Sequence, residues 1–332
     1  MIEVDDLSFV GHGLNRPECV LCHASGRLFV ADWSGGGGIG VIEPDGRTWK
    51  ILARDRTEPL RPNGIALSPD GSFLLTHLGD DDGGVWRLHP DGRSEPVVVE
   101  VDGVPLPPSN FVLVEAGGRI WITVSTRLRP RSKGYRPGPG DGFIVLCDDQ
   151  GARIVADGLG FTNECVVAPG GETLFVNETF ARRLTAFDIG PRGHLSNRRT
   201  VTEFGDGTFP DGLALDVEGG LWITSIVSNR VIRVAPDGGH DVLIEDADPD
   251  HLRWVEDAYT AGGLERPHLD TMRSRRLRNI SSLAFGGPDL RSAYLGCLLG
   301  DSVARFRAPV AGCAPAHWTY DLSPIVREPA IS

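Results

Sequence analysis

Short runs of alternating apolar and polar residues recur along the chain, separated by turns rich in glycine and aspartate. The clearest copy spans residues 209–225. Pro210-Asp211-Gly212 opens it, Leu213 and Leu215 then alternate with other residues, and the apolar run 221–224 follows a second tight turn. Apolar residues at a period of two between such turns predict a short antiparallel hairpin with one buried face.

Six copies of this pattern follow one another, and a second hairpin trails each of them. The copies are spaced by roughly 45–55 residues, except for a last step of about 70, which is close to the period of propeller blades with four strands each. The polar residues that open the copies are Glu18, Asn63, Asn110, Asn163, Asp211 and Ser281. We therefore predict an all-β, six-bladed β-propeller that holds residues 1–332 as a single domain, because each blade buries its faces only against its neighbours.

Two insertions interrupt the repeat. Residues 125–142, between the second and third strands of the third blade, carry five cationic side chains in a Pro- and Gly-rich segment. This segment is either a solvated loop or a contact for the anionic end of a ligand. The second insertion lies in the 240–278 region, where Asp248 as N-cap and Pro249 at the first position predict a short amphipathic helix, a lid or a brace.

Residues 1–17 and the tail around residues 318–322 are expected to meet, with one terminus supplying a strand that completes the sheet of the other. Ring closure in a propeller requires such a contact. The pattern does not favour either end as the donor of this strand.

The net charge of −12 and the pI near 5.2 argue against nucleic acid and anionic membrane surfaces as partners. The first residues lack the basic and apolar regions of a signal peptide, and no apolar run has the length of a membrane helix. Six cysteines lie mostly in strand-like runs, so we expect buried, reduced thiols in a cytoplasmic protein, in preference to a metal or redox site at Cys19 and Cys22.

The residues that open the six copies are predicted to converge. The innermost strand of each blade lines the central channel, so equivalent positions meet at one mouth. Here they supply two carboxylates, three carboxamides and one hydroxyl. Hard oxygen ligands with two negative charges predict a divalent cation, Ca²⁺ ahead of Zn²⁺, Mn²⁺ or Mg²⁺. The alternative, that Asn and Asp are simply turn formers, accounts poorly for the glutamate and for oxygen at all six positions.

The second strand of each blade returns to the face of the ring where the metal is predicted. A second set of candidate residues ends these strands. By register these residues are Asp32, His77, Val124, Asn177 and Ser225, with Glu178 close by. His77 is the one imidazole expected near the mouth, unless it is a surface histidine at a strand end.

Several phrases of the chain resemble the SMP-30/gluconolactonase/LRE-like family, whose members are regucalcin-type six-bladed propellers with a divalent cation in the channel. These phrases lie at residues 17–18, 109–110, 162–163, 195–199, 210–216 and 284–290. The resemblance implies that Glu18, Asn163 and Asp211 coordinate the metal and that Asn110 lies at or beside it. One departure is Glu164-Cys165, where the family often has Gly-Leu.

The resemblance also implies an activity, because members of that family mostly open lactones. We expect a metal-dependent lactonase, a hydrolase that opens a sugar lactone or related cyclic ester with metal-activated water. Asp211 is the expected general base, ahead of Glu18, Glu178 and His77. The candidate substrate-binding residues are Asn63, His77, Asn110, Arg127, Tyr135, Glu178 and Ser281. The alternatives are an aryl-esterase or phosphotriesterase-like hydrolase, and a non-catalytic calcium-binding propeller scaffold.

Overall fold

Six four-stranded antiparallel sheets form the molecule in the computed structural model, in which residues 1–326 are described. The first strand of each sheet contacts the first strands of the neighbouring sheets around a central axis. Each sheet therefore runs outward from the axis as one blade. The six-bladed β-propeller predicted from the repeat is confirmed.

The strands of each blade follow one another from the channel outward. Blade one comprises Val20–Cys22, Leu28–Asp32, Gly38–Ile42 and Thr48–Leu52. Blade two comprises Pro62–Leu67, Phe73–His77, Val85–Leu88 and Ser94–Val98. Blade three comprises Phe111–Val114, Ile120–Val124, Gly142–Asp148 and Gly151–Leu159. Blade four comprises Thr162–Val167, Thr173–Glu178, Arg183–Ile189 and Leu195–Glu203. Blade five comprises Thr208–Leu215, Leu221–Val227, Arg230–Val234 and His240–Ile244. Blade six comprises Ile280–Gly286, Ser292–Cys297, Val303–Arg307 and Ser8–Val10.

Ring closure uses the N-terminal strand. Ser8–Val10 pairs antiparallel with Val303–Arg307 and becomes the outermost strand of blade six, with Phe9 opposite Ala304. The C-terminal segment instead crosses the side of the channel near blade one, where the carbonyl oxygen of Trp318 accepts a 2.9 Å hydrogen bond from the Ala24 amide. Closure by a terminal strand is confirmed, and the N-terminus supplies it. The tail around Trp318 does not form this closure and hydrogen-bonds to His23 and Ala24 instead.

The first insertion lies where the sequence predicted it, and the second begins only after His240–Ile244, which is the outer strand of blade five. The first contains the 3₁₀ helix Arg131–Gly134. The second contains helix α1, Pro249–Thr260, and helix α2, Arg266–Asp270. The Asp248 side chain caps α1 by accepting a 2.7 Å hydrogen bond from the His251 amide.

Minor elements complete the described residues: the strand pair Glu100–Val101 and Val104–Pro105, and the 3₁₀ helices Val4–Asp6 and Pro191–Gly193.

The hydrophobic core is divided among the interfaces between blades and is largest around buried aromatic residues such as Phe73, Trp121 and Trp222. Tight turns connect the strands; Gly219 and Gly238, for example, have φ values of 80° and 88°, a region that favours glycine. All six cysteines are free thiols, of which four are buried as expected and two, Cys147 and Cys313, are only partly buried. No helix of residues 1–326 has the length and apolar character needed to cross a membrane.

Candidate metal centre

Irregularities in the inner strands determine which side chains reach the channel mouth. In four blades the register between the first and second strands shifts near the mouth. On the first strands, these shifts lie at Pro62–Ile65, Thr162–Cys165, Pro210–Leu213 and Ile280–Ser282. A β-bulge redirects the side chains of the extra residues. Asn63, Asn163, Asp211 and Ser281 all lie within these shifts. Asn110 directly precedes the inner strand of its blade, and Glu18 lies two residues before its own.

Two of the six polar residues hold Glu18 in place. The amide nitrogen of Asn63 donates hydrogen bonds of 3.0 Å to Glu18 Oε1 and to the Asn110 carbonyl oxygen. The Ser281 hydroxyl donates a 2.9 Å hydrogen bond to the Glu18 carbonyl oxygen. These contacts give Asn63 and Ser281 positioning roles, since their donors are used by neighbours within the ring.

The orientation of the Asn163 amide is also fixed by its neighbours. The Thr179 hydroxyl donates a 2.8 Å hydrogen bond to the Pro210 carbonyl oxygen. The same hydroxyl lies 3.0 Å from Asn163 Nδ2 and has only a lone pair left to offer, so it accepts from that nitrogen. Asn163 Oδ1 is therefore the amide atom left without a partner at the channel.

Four oxygen atoms of this ring are buried and have no hydrogen-bond partner among the described residues. They are Glu18 Oε2, Asn110 Oδ1, Asn163 Oδ1 and Asp211 Oδ1. An unsatisfied buried acceptor costs about 1–3 kcal/mol. Two carboxylate and two carboxamide oxygens form a donor set that suits a hard divalent cation such as Ca²⁺. Within residues 1–326, no group of three or more His, Cys, Asp or Glu side chains is arranged to hold a metal, so any cation here depends on the amide oxygens.

Burial also changes the protonation of this ring. Desolvation raises the pKa of Glu18 to about 7, although the nearby Arg16 opposes the rise. Burial and then the repulsion from Glu18 raise the pKa of Asp211 well above its usual range. A positive charge between the two carboxyl groups would oppose both shifts, because an opposite charge nearby favours the ionised form.

Glu164 is a third buried carboxyl group, which sequence reasoning did not select. Burial and repulsion from Glu18 raise its pKa well above the ordinary value. Its Oε2 accepts a 2.8 Å hydrogen bond from the Leu213 amide, while its Oε1 has no partner among the described residues. In a regular strand Asn163 and Glu164 face opposite sides, but the register shift at this point allows both to face inward. The only signal in the sequence was the departure from Gly-Leu.

His77, at the end of its strand, makes its ring contacts within blade two. Its Nδ1 accepts a 3.0 Å hydrogen bond from the Arg61 amide, and its Nε2 lies 3.6 Å from Asp82 Oδ2. Burial lowers the pKa of the ring. These contacts do not connect His77 to any of the four unpartnered oxygen atoms.

Glu178 is fully buried and engaged by cations. Its carboxylate accepts hydrogen bonds from Arg183 and Arg198 and from the Thr185 hydroxyl. Although burial raises the pKa of Glu178, the hydrogen bonds from Arg183 and the Gly160 amide lower it below the usual value. The structure therefore places Glu178 in an ion-pair network beside the ring.

The remaining second-strand positions are structural neighbours of the ring. Asn177 Nδ2 donates to the carbonyl oxygens of Asp211 (3.1 Å) and Gly212 (3.0 Å). Asp32 pairs with Lys50 at 2.9 Å. Val124 and Ser225 are fully buried.

In the insertion of blade three, the structure separates the two candidates Arg127 and Tyr135. Arg127 forms a bidentate ion pair with Asp157, at 2.7 and 2.9 Å. Tyr135 is buried against Phe161 and Phe180, with ring centroids 5.5 and 5.1 Å away. Its hydroxyl pKa, which burial alone would raise, is lowered mainly by Arg131. Arg131 also acts on the carboxyl groups of Glu18 and Asp211, so it is the loop cation at the mouth.

On the other side of the ring the channel widens into a cavity of about 680 Å³, lined mainly by inner strands. It extends from the layer of Cys19 and Glu164 to the C-terminal segment, where His317 and Tyr320 line it. The carboxyl oxygens of the mouth and this apolar cavity are therefore consecutive parts of one channel.

Known proteins resemble this chain in sequence and in fold. A regucalcin from Danio rerio is 32% identical over 143 residues, which are 41% of this chain and 38% of the relative. A 6-deoxy-6-sulfogluconolactonase from Pseudomonas putida is 26% identical over 204 residues, 60% of this chain and 58% of the relative. The matches thus span less than two thirds of each relative.

Among solved structures, a calcium-binding protein, regucalcin, from Agrobacterium tumefaciens superimposes with a TM-score of 0.65 at 17% identity, covering 95% of this chain and 98% of the other. This likeness supports the fold. The model of the SMP-30/gluconolactonase/LRE-like region matches residues 78–246, just over half of the 332 residues. The chain belongs to the SMP-30/gluconolactonase/LRE-like family.

Proposed function

We propose that the protein is a calcium-dependent lactonase whose active site is the channel mouth. The observation that carries the proposal is the set of four buried, unpartnered oxygen atoms on Glu18, Asn110, Asn163 and Asp211. Family membership and the name of the sulfogluconolactonase relative support a lactone as substrate. The calcium-binding regucalcin with the same fold supports the choice of ion.

The four oxygens would hold the cation, with Zn²⁺, Mn²⁺ and Mg²⁺ as other candidates for the same position. When bound, a divalent cation at such a site supplies Lewis acidity: it polarises a carbonyl group and lowers the pKa of water. Two negative charges on Glu18 and Asp211 balance it. Asn63 and Ser281 keep Glu18 directed at the site, and Thr179 does the same for Asn163.

The reaction assigned to this site is ring opening by water. Water adds to the lactone carbonyl carbon, the ring C–O bond breaks, and the product is the hydroxy acid. The Asp211 carboxylate takes the proton of the attacking water and returns it to the ring oxygen as the ring C–O bond breaks. Water addition here needs no nucleophile from the protein, which is consistent with the presence of only carboxylate and carboxamide groups in the four-oxygen set.

Metal analysis and a hydrolysis screen test the proposal together. The purified protein should contain or bind one divalent ion per chain, and it should hydrolyse sugar or aliphatic lactones faster than aryl esters or a phosphotriester. A chelator should abolish turnover, and calcium should restore it. Preference for aryl esters or a phosphotriester would favour the esterase alternative. Calcium binding with no hydrolysis of any of these compounds would favour the scaffold alternative.

A further inference from the structure

Three arginines from distant parts of the chain come close to one another: Arg16 and Arg131 act on the carboxyl groups of the mouth, and Arg266 acts on Arg16. Arg16 precedes the inner strand of blade one, Arg131 begins the 3₁₀ helix in the blade-three insertion, and Arg266 begins α2. Arg131 and Arg266 both interact with the hydroxyl of Tyr135. Arg16 is close enough to both to have its pKa lowered by their charges, after the larger effect of burial.

Aromatic rings hold two of these guanidinium groups in fixed positions. Arg16 lies over the ring of Trp33, 4.6 Å from its centroid, and Arg131 lies over Phe161 at the same distance. A stacked guanidinium directs its N–H groups sideways in a fixed plane, which is the arrangement that binds planar or tetrahedral anions through two hydrogen bonds.

The same two guanidinium groups lack a partner of opposite charge. Among residues 1–326, neither Arg16 nor Arg131 has a carboxylate oxygen within 4.0 Å, and the Nε atom of each is buried without a hydrogen-bond acceptor. Arg131 donates one hydrogen bond, of 2.9 Å, to the Ser125 hydroxyl. Arg266 differs, since Asp270 pairs with it at 2.8 Å. Buried donors without acceptors are uncommon in proteins, and an anion or an ordered water at the mouth would supply acceptors for these two.

Charge balance favours an anion as this acceptor. The carboxyl groups that act on Arg16 are those of Glu18 and Asp211. If these carboxylates bind a divalent cation, as proposed above, their charge is neutralised by it. The charges of Arg16 and Arg131 then remain unbalanced beside the cation. An anionic group on the ligand would supply the balance.

We propose that the substrate is a lactone that carries an anionic substituent, such as a carboxylate, sulfonate or phosphate. This inference rests on the proposed function. Arg16 and Arg131 bind the substituent, Tyr135 and Arg266 border it, and the lactone carbonyl lies over the four oxygens of the mouth. The segment 125–142 then contributes to anion binding through Arg131, while Arg127 stays paired with Asp157.

The test compares D-glucono-1,5-lactone with its derivatives that carry a carboxylate, a sulfonate or a phosphate at carbon 6, all assayed with saturating calcium. The wild-type protein should give a kcat/KM at least tenfold higher for one or more of the charged lactones, and the best of the three identifies the anion. Arg16→Gln and Arg131→Gln should each lower the ratio of charged to neutral kcat/KM at least tenfold. The matched control is Lys133→Gln, which removes an exposed charge from the same 3₁₀ helix and should keep the ratio within twofold.

The outcomes separate this inference from the lactonase proposal. Turnover of the neutral lactone without preference for any charged one, or equal losses for both in the arginine variants, would overturn the anion site and leave the lactonase. If no lactone is hydrolysed, calorimetric titration of the calcium-loaded protein with glucarate tests the anion site separately. Binding that weakens at least tenfold in Arg131→Gln supports it, and the absence of binding overturns it.

Discussion

Asp211 is held at the mouth through its backbone. Its carbonyl oxygen accepts a hydrogen bond from Asn177, which fixes the backbone, while its Oδ1 is left without a partner among the described residues. A carboxylate with a fixed backbone and an unoccupied oxygen suits both ligation and proton transfer. The two roles can be separated, because a carboxamide retains the ligating oxygen but cannot take a proton.

We expect Asp211→Asn to bind calcium with reduced affinity and, at full occupancy, to show kcat lowered by about 10²–10⁴, the usual effect of losing a general base. Steady-state kinetics over a calcium titration measures both quantities. Glu18→Gln is the matched comparison, since it removes the other carboxylate of the four-oxygen set. Normal turnover of Asp211→Asn once saturated with calcium would contradict the base role and direct attention to Glu18.

The pKa of Glu18 predicts how calcium binding depends on pH. Because burial raises this pKa to about 7, the metal-free protein holds a proton on Glu18 below neutrality, and calcium must displace it. Apparent calcium affinity should therefore fall by up to about tenfold per pH unit below about pH 7 through the proton on Glu18, and the raised pKa of Asp211 adds to this dependence. Calorimetry between pH 5.5 and 8.5 measures this. Glu18→Gln should flatten the dependence; an unchanged slope in that variant would assign the proton to another group.

At the scale of elements, the sequence was sufficient for the hairpins of the blades and for α1, but it did not predict α2 at Arg266–Asp270. The hairpins follow from a period of two between Gly-containing turns, and α1 follows from Asp248 and Pro249 at its start. The register shifts that turn Asn163 and Glu164 both inward did not follow, since a bulge is defined only against the neighbouring strand. The proximity of Arg16 and Arg131 could not be predicted from the sequence either, because it depends on how the blade-three insertion packs over the ring.

Helix α1 is attached to the ring mainly through Glu256 and Tyr259. Glu256 Oε1 accepts hydrogen bonds from Arg182 at 2.5 Å and from the Gly207 amide at 2.6 Å. The Tyr259 hydroxyl donates a 2.5 Å hydrogen bond to the Phe180 carbonyl oxygen. These contacts join the helix to blades four and five beside the aromatic cluster that contains Tyr135.

We expect Glu256→Ala to loosen α1, because it leaves the Gly207 amide unpaired and removes the carboxylate from the largely buried Arg182, at a cost of about 2–3 kcal/mol. Hydrogen exchange of residues 249–260 should accelerate, and KM should rise if α1 is a lid. The neighbouring exposed Asp257 supplies the control, since Asp257→Ala should change stability by less than about 0.5 kcal/mol. Equal protection of α1 in both variants would show that Tyr259 and apolar packing suffice.

For the whole molecule, the decisive contact is the closure of the ring in blade six. Only three residues of the N-terminal strand pair with Val303–Arg307, so the strand needs other contacts to stay in place. Arg276, which follows α2, provides them by donating to the carbonyl oxygens of Val4 (2.8 Å), Asp5 (2.8 Å) and Leu7 (2.9 Å). The second insertion therefore contributes to ring closure as well as to the mouth.

We expect Arg276→Met to destabilise the protein by about 2–4 kcal/mol, because it removes three hydrogen bonds from a charged donor while keeping much of the apolar stem. Arg275→Met is the matched control: that side chain pairs with Asp5 at 2.9 Å, but the two side chains are 69% and 71% exposed, so about 0–1 kcal/mol is expected. Urea unfolding of both variants measures the difference.

Since every blade is stabilised by its neighbours, opening the ring at blade six should weaken the whole propeller, and Arg276→Met should lower the midpoint of one cooperative transition. Equal midpoints for the two variants, or an early separate transition confined to blade six in Arg276→Met, would show that the other five blades hold together without this closure.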